Sequence, residues 1–151
     1  LDAKKIPYTA YELPAEKLGA RETARLLGVE PGQVYKTIVV LRPKGKAILA
    51  VIPGDHQVDL KRLAAVLGEK KLNLPGERQA EELTGLQAGG ISPLALLNKG
   101  FQVVIASNAE AAGLIHISAG QRGLNIKLPV DALAQVTNAH FADISRLETG
   151  D

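Results

Sequence analysis

The chain contains no cysteine, which excludes disulfides, thiolate zinc sites and a cysteine nucleophile. This absence leaves the redox compartment open. Its aromatic residues are three tyrosines and two phenylalanines, scattered as Tyr8, Tyr11, Tyr35, Phe101 and Phe141. That scatter argues against a stacked aromatic platform for nucleic acid, and the core has to be aliphatic. No apolar run approaches the ~18 residues of a membrane-spanning helix. Residues 1–8 hold no signal-type hydrophobic region either, so the expectation is a cytoplasmic protein. The first residue is Leu1 rather than methionine, which leaves room for an N-terminal piece, such as a leading helix, outside this chain.

What is present fits one globular domain over residues 1–151. The composition is 46% hydrophobic and 23% charged, and a chain of this size buries roughly 70% of its unfolded surface. A net charge of +2 is too small to announce a nucleic-acid protein by itself. The basic residues Lys61, Arg62, Lys70, Lys71 and Arg78 nevertheless fall in one stretch, against Glu69 and Glu77 only. Two readings stand for that stretch, a solvated helix face or a surface that meets phosphates.

Hydrophobic spacing and stop signals give a coarse map. Strands are expected over 6–11, 34–41, 47–52, 101–106, 114–118 and 124–128, with Pro43-Lys44-Gly45-Lys46 as a hairpin connection. Helices are expected over 20–27, with Leu26 and Leu27 packing and Gly28 as the stop, and over 60–67, with Asp59 as cap and Gly68 as stop. A third runs over 77–84, ended by Gly85. Pro129 fits the first turn of a last helix that turns Leu133 and Val136 inward, with Asp131 near its positive end. The fold class is mixed α/β (α+β), with a mixed, largely antiparallel sheet decorated by helices rather than a regular βαβ repeat.

Lys36 is the most informative residue. On an extended strand it shares one face with Val34, Ile38 and Val40, while Tyr35, Thr37, Val39 and Leu41 occupy the other, so neither face is polar. An ammonium in such a strand either snorkels to water or is held at the floor of a pocket to polarise a carbonyl or meet a phosphate. Gly85, Gly89 and Gly90 precede Ile91-Ser92-Pro93, and Gly120 and Gly123 flank Gln121-Arg122 after Ser118. Glycines at this density serve either plain turns or a backbone that approaches a ligand and presents amides to it. Tyr11 reads either as core or as a ring wall. His56, His116 and His140 have no metal-ligand spacing, and no cofactor is expected. No strand-to-serine-to-helix elbow marks Ser92 or Ser118 as a nucleophile.

In order along the chain, Val34-Tyr35-Lys36-Thr37, Gly89-Gly90-Ile91-Ser92-Pro93-Leu94 and Ser118-Ala119-Gly120-Gln121-Arg122-Gly123-Leu124 resemble the three signature stretches of the YbaK family. The resemblance spans nearly the whole chain. It implies the fold of the editing domain of bacterial prolyl-tRNA synthetases and the activity of a trans-acting deacylase of mischarged tRNA, Cys-tRNA(Pro) above all. It makes Lys36 the essential lysine and Ser118 its catalytic companion. Tyr11, Gly89, Gly90, Ile91, Ser92, Pro93, Gly120, Arg122 and Asn125 become the substrate-binding set. Two stretches depart from the cysteine editors, which tend to carry Gly-Gln-Lys-Lys where this chain has Ala95-Leu96-Leu97-Asn98-Lys99, and Ser-Gly-Gly-Lys-Arg-Gly where it has Ser118-Ala119-Gly120-Gln121-Arg122-Gly123. Both departures remove lysines.

The implied biology has a physical reason, because a pocket shaped for proline rejects a side chain of similar size by only ~1–3 kcal/mol and needs a second sieve. Lacking an evident nucleophile or metal, the reaction implied is substrate-assisted: the cysteinyl thiol or a ribose hydroxyl attacks the ester while backbone amides stabilise the oxyanion. The expected partners are mischarged tRNA and prolyl-tRNA synthetase. Two rivals remain, a same-fold editor of alanine or serine on another tRNA and a non-catalytic module that binds a tRNA end or a protein.

Overall fold

A computed structural model describes residues 7–16 and 18–148. Nine strands and five α-helices alternate among these residues. Strand β1 (Thr9–Glu12) leads to helix α1 (Ala20–Leu27), then to the hairpin of β2 (Tyr35–Val40) and β3 (Ile48–Pro53). Next come β4 (His56–Val58), α2 (Leu60–Leu67), α3 (Glu77–Thr84) and β5 (Gln102–Ala106). The last third holds α4 (Asn108–Ala112), β6 (Leu114–Ser118), β7 (Leu124–Pro129), α5 (Val130–Thr137), β8 (His140–Ala142) and β9 (Ser145–Leu147).

The strands form a four-stranded sheet ordered β2-β3-β5-β8, a three-stranded sheet ordered β1-β7-β6, and a β4-β9 ribbon. The pairs β2-β3, β1-β7, β6-β7 and β4-β9 are antiparallel, whereas β3-β5 and β5-β8 are parallel. The mixed, largely antiparallel architecture expected from the sequence is therefore present. A bridge between Val34 and His116 joins the two larger sheets at their edges.

Strand β3 explains the packing. All of Ile48, Leu49, Ala50, Val51 and Ile52 are fully buried, because alternate side chains enter two different cores. Leu49 and Val51, with Val39, Val103 and Ile105, meet Ile115, Ile117, Ile126 and Leu128 of the three-stranded sheet and Leu133 of α5. Ile48, Ala50 and Ile52, with Val40 and Val104, meet Leu63 and Ala64 of α2 together with Ile144. Complete burial of one such side chain contributes about 1.5–3 kcal/mol.

Several local expectations are met, and two are corrected. The Asp59 side chain accepts a hydrogen bond from the Arg62 amide, capping α2, and α1, α2 and α3 end at Gly28, Gly68 and Gly85 in left-handed geometry. In α1, however, the buried residues are Thr23 and Ala24, and Leu26 is 39% exposed. The face that the helix turns to the fold is that of Ala20, Thr23 and Ala24, of which Ala20 and Thr23 line the cavity described below, while Leu27 is only half-buried. Pro129 ends β7 in extended geometry just before α5 instead of entering its first turn. Part of the first expected strand, Ile6, lies outside the described residues.

Candidate active site

A cavity of about 470 Å3 runs along the outer edge of β2. Its lining brings together Lys36 from the first signature stretch, Gly89 and Ile91 from the second, and Ser118 and Asn125 from the third and the strand after it. Residues distant in sequence meet there because β2 and β6 are edge strands drawn together by the Val34–His116 bridge. The entry to α1 (Gly19, Ala20, Thr23) and the start of α3 (Pro75, Glu77, Ala80) close the other sides. A side pocket of about 30 Å3 lies beside Ser118, Asn125, Gly89 and Thr23, large enough only for a small group.

Lys36 stands at the wall of this cavity, 31% exposed, with Nζ 3.5 Å from Glu148 Oε1. Its strand neighbours on the same face, Ile38 and Val40, pack on the α2 core, so the ammonium reaches outward to a carboxylate. Tyr35 also lines the cavity, and burial together with the charge of Asp55 pushes its phenol up to about 12. That phenol stays protonated at neutral pH and cannot serve as a base.

The three-stranded sheet supplies the opposite wall. Asn125 is paired in register with both Tyr11 on β1 and Ser118 on β6, so the three side chains project from one face. His116 lies two residues before Ser118 and shares that face, while Ile115 and Ile117 point into the core. The His116 ring is 5.4 Å from the Tyr11 ring, and its Nδ1 is 3.1 Å from Asn125 Oδ1. Burial holds the His116 imidazole below the usual histidine range; its hydrogen bond to Asn125 opposes that shift and the charge of Lys127 adds to it. Ser118 Oγ is out of bulk solvent and has no hydrogen-bond partner among the described residues.

Six residues of the expected substrate-binding set do not line the cavity but shape it. Tyr11 packs on His116. Ser92 is fully buried, and its hydroxyl accepts from the Leu94 amide at the turn that begins with Pro93. A Cβ on Gly90 would lie 2.9 Å from Gln121 Cα and the Arg122 amide, so only glycine lets the two signature loops touch. Gly120 abuts Ala95 from the other loop. Arg122 Nε donates to the Ala88 carbonyl at 2.6 Å, which fastens the loops together instead of pointing a guanidinium at a ligand. The backbone wall has fewer free donors than the sequence implied, since the Gly90 amide donates to the Gln87 carbonyl and the Ala88 amide to Glu81 Oε2.

Sequence reasoning missed His116, Glu148 and the walls given by α1 and α3. A signal for His116 existed: His116 and Ser118 alternate with Ile115 and Ile117, and Asn125 and Lys127 alternate with Ile126 and Leu128, which marks one polar face across two strands. In the basic stretch, Arg62 is already engaged by Asp59 and by Asp143, at 3.4 and 3.1 Å, whereas Lys61, Lys70, Lys71 and Arg78 are exposed.

Comparison with known proteins agrees with this geometry. The chain is 37% identical over 150 residues, 98% of its own length and 91% of the relative's, to the Enterococcus faecalis protein named "Putative Cys-tRNA(Pro)/Cys-tRNA(Cys) deacylase EbsC". It is 34% identical over 104 residues to the proline–tRNA ligase of Desulforamulus reducens, covering 69% of this chain but only 17% of that enzyme. Among solved structures, a "putative trans-editing enzyme for prolyl tRNA synthetase" superimposes with a TM-score of 0.81 at 26% identity, over 92% of this chain and 87% of that one. A family model described as the aminoacyl-tRNA editing domain matches residues 15–136, which include all three signature stretches and every cavity residue from the two walls, and the chain belongs to that family.

Proposed function

We propose that the protein deacylates mischarged tRNA in trans, with Cys-tRNA(Pro) as its principal substrate. The observation that carries this reading is the convergence of Lys36, Gly89, Ile91 and Ser118 on one cavity. The relative named for Cys-tRNA(Pro) and Cys-tRNA(Cys) supports cysteine as the amino acid, and the small side pocket suits a short side chain. The larger space along β2 suits the terminal ribose and base. Lys36 meets the terminal phosphate or the ester carbonyl, and Ser118 offers a hydroxyl to the aminoacyl group. Prolyl-tRNA synthetase is the expected source of the substrate, and the cytoplasm the place of action.

The chemistry is substrate-assisted. The cysteinyl thiolate attacks its own ester carbonyl, the bond from that carbon to the ribose oxygen breaks, and the ribose hydroxyl recovers the proton. The tRNA leaves intact, and water opens the released cysteinyl thiolactone. A thiol has a few per cent of thiolate at neutral pH and is strongly nucleophilic, so the protein has to orient and polarise the ester more than activate a nucleophile. The test is a panel of tRNAs mischarged with cysteine, alanine and serine, on tRNA(Pro) and on other tRNAs, with the amino acid released as readout. Rapid release from Cys-tRNA(Pro) is expected. Preference for alanine or serine would assign the other specificity, and binding without release at high protein concentration would make the chain a binding module.

A further inference from the structure

The cavity's polar wall contains a pair of buried groups that the reaction above does not use. His116 and Asn125 are each 5% exposed, and His116 Nδ1 lies 3.1 Å from Asn125 Oδ1. The carboxamide oxygen only accepts, so a bond to Oδ1 requires the proton on Nδ1. With Oδ1 taken, the amide nitrogen is what Asn125 has left for the cavity it lines. Directly opposite in register stands Ser118, whose hydroxyl is buried and has no partner among the described residues. Tyr11, packed on the imidazole, limits its rotation.

We propose that His116 is a positioning residue: by donating from Nδ1 to Asn125 Oδ1, it fixes the Asn125 amide so that its N–H and the Ser118 hydroxyl form a donor pair for the ester carbonyl oxygen. This rests on the deacylase reading above. It supplies what the loop of Gly89 and Gly90 lacks, since the Gly90 and Ala88 amides are already engaged. Donors fixed before the reaction act on the developing oxyanion without reorganising, and loss of one such donor typically lowers kcat about 10²–10³-fold. The reverse arrangement has the opposite chemistry. If Asn125 donated to a bare Nδ1, its carbonyl oxygen would face the cavity, repel the ester oxygen and suit the α-ammonium group instead.

The experiment has two arms on the full chain. Nitrogen-15 NMR of the imidazole without substrate reads the tautomer directly: His116 should be neutral and protonated on Nδ1, and protonation on Nε2 alone overturns the proposal. Single-turnover and steady-state kinetics on Cys-tRNA(Pro) form the second arm. Asn125→Ala should lower kcat about 10²-fold with KM nearly unchanged, and His116→Phe, which keeps a ring against Tyr11, about 10-fold. The double variant should be no slower than Asn125→Ala, and His116→Gln, which can donate to Oδ1, should recover part of the loss. Full activity in folded His116→Phe, or losses that multiply, overturns the proposal while leaving the deacylase reading intact. A wild-type chain inert toward every mischarged tRNA, with the Nδ1 proton in place, removes the deacylase reading and the ester role together.

Discussion

Lys36 Nζ, from the cavity wall, and Glu148 Oε1 face each other at 3.5 Å, which joins the strand carrying the first signature stretch to the last described residue of the chain. The Glu148 amide also donates to the Asp55 carbonyl at 3.0 Å, so the carboxylate is held there by backbone as well as by charge. An anionic tRNA end that meets Lys36 has to replace this partner.

Lys36→Ala is expected to abolish deacylation with the fold unchanged, and Lys36→Arg to fail as well, because a planar and bulkier guanidinium, although it can pair with Glu148, does not place a compact point charge at the same spot in the cavity. Glu148→Gln should act the other way and lower KM. The pair is partly exposed, and such pairs contribute no more than ~1 kcal/mol, so a change of up to about fivefold is expected. Steady-state kinetics with circular dichroism as the folding control measure both. An unchanged or raised KM in Glu148→Gln would show that the carboxylate does not compete with substrate.

Gly90→Ala should separate the two signature loops. The new Cβ meets backbone atoms of Gln121 and Arg122 at 2.9 Å, and neither can rotate away. A loss of about 1–3 kcal/mol in denaturant stability is expected, with a fall in activity larger than that of Gly76→Ala, where a Cβ meets nothing within 4 Å. Equal behaviour of the two variants would contradict the close approach of the loops.

The depressed His116 titration predicts a pH dependence of stability. Between the depressed folded value and about 6.5, the unfolded chain binds a proton that the folded chain does not. This contribution is therefore complete above about pH 6.5 and is lost as the pH falls from there. Denaturation midpoints across the range should drop more steeply for the wild type than for His116→Phe on the acid side. Parallel curves would mean that the buried imidazole accepts its proton without penalty.

Thiol assistance predicts that saturating enzyme releases cysteine from Cys-tRNA(Pro) far faster than serine from Ser-tRNA(Pro), although the side chains are nearly isosteric. The hydroxyl needs a general base, and the Tyr35 phenol, raised to about 12, is not one. Single-turnover rates of the two substrates are the measurement. Equal maximal rates would favour a ribose hydroxyl or a held water.

Binding of tRNA should be weak and fall steeply with salt, given a net charge of +2 and no aromatic platform. Neutralising Lys61, Lys70 and Lys71 should reduce the slope of log K against log salt by roughly one for each phosphate that no longer meets a lysine. Arg62→Ala should change stability more than the slope, because its guanidinium is already held by Asp59 and Asp143. An unchanged slope in the triple lysine variant would move the phosphate surface elsewhere.

The sequence by itself determined the family and most of the longer elements, but not the short α4 or the three-residue strands β4, β8 and β9, which carry too few residues for a periodic signal. The apolar run of 47–52, the Asp59 cap and the stops at Gly28, Gly68 and Gly85 are local signals, since each follows from a few neighbouring residues and the backbone geometry they allow. Lys36 was legible because a charge between two apolar faces is costly wherever the strand goes. Only the tertiary structure decided where that charge goes. Its partner, Glu148, is far along the chain, and nothing local to either residue encodes their meeting. The same holds for Leu26, which helical spacing marks for burial but which α1, docked through Thr23 and Ala24, leaves exposed. It holds again for Arg122, which looked like a cation offered to substrate and is a clasp on the Ala88 carbonyl. His116 and Asn125 sit on adjacent strands whose alternation showed a shared face; the 3.1 Å approach between them depends on register and burial, which long-range pairing sets and a single strand cannot.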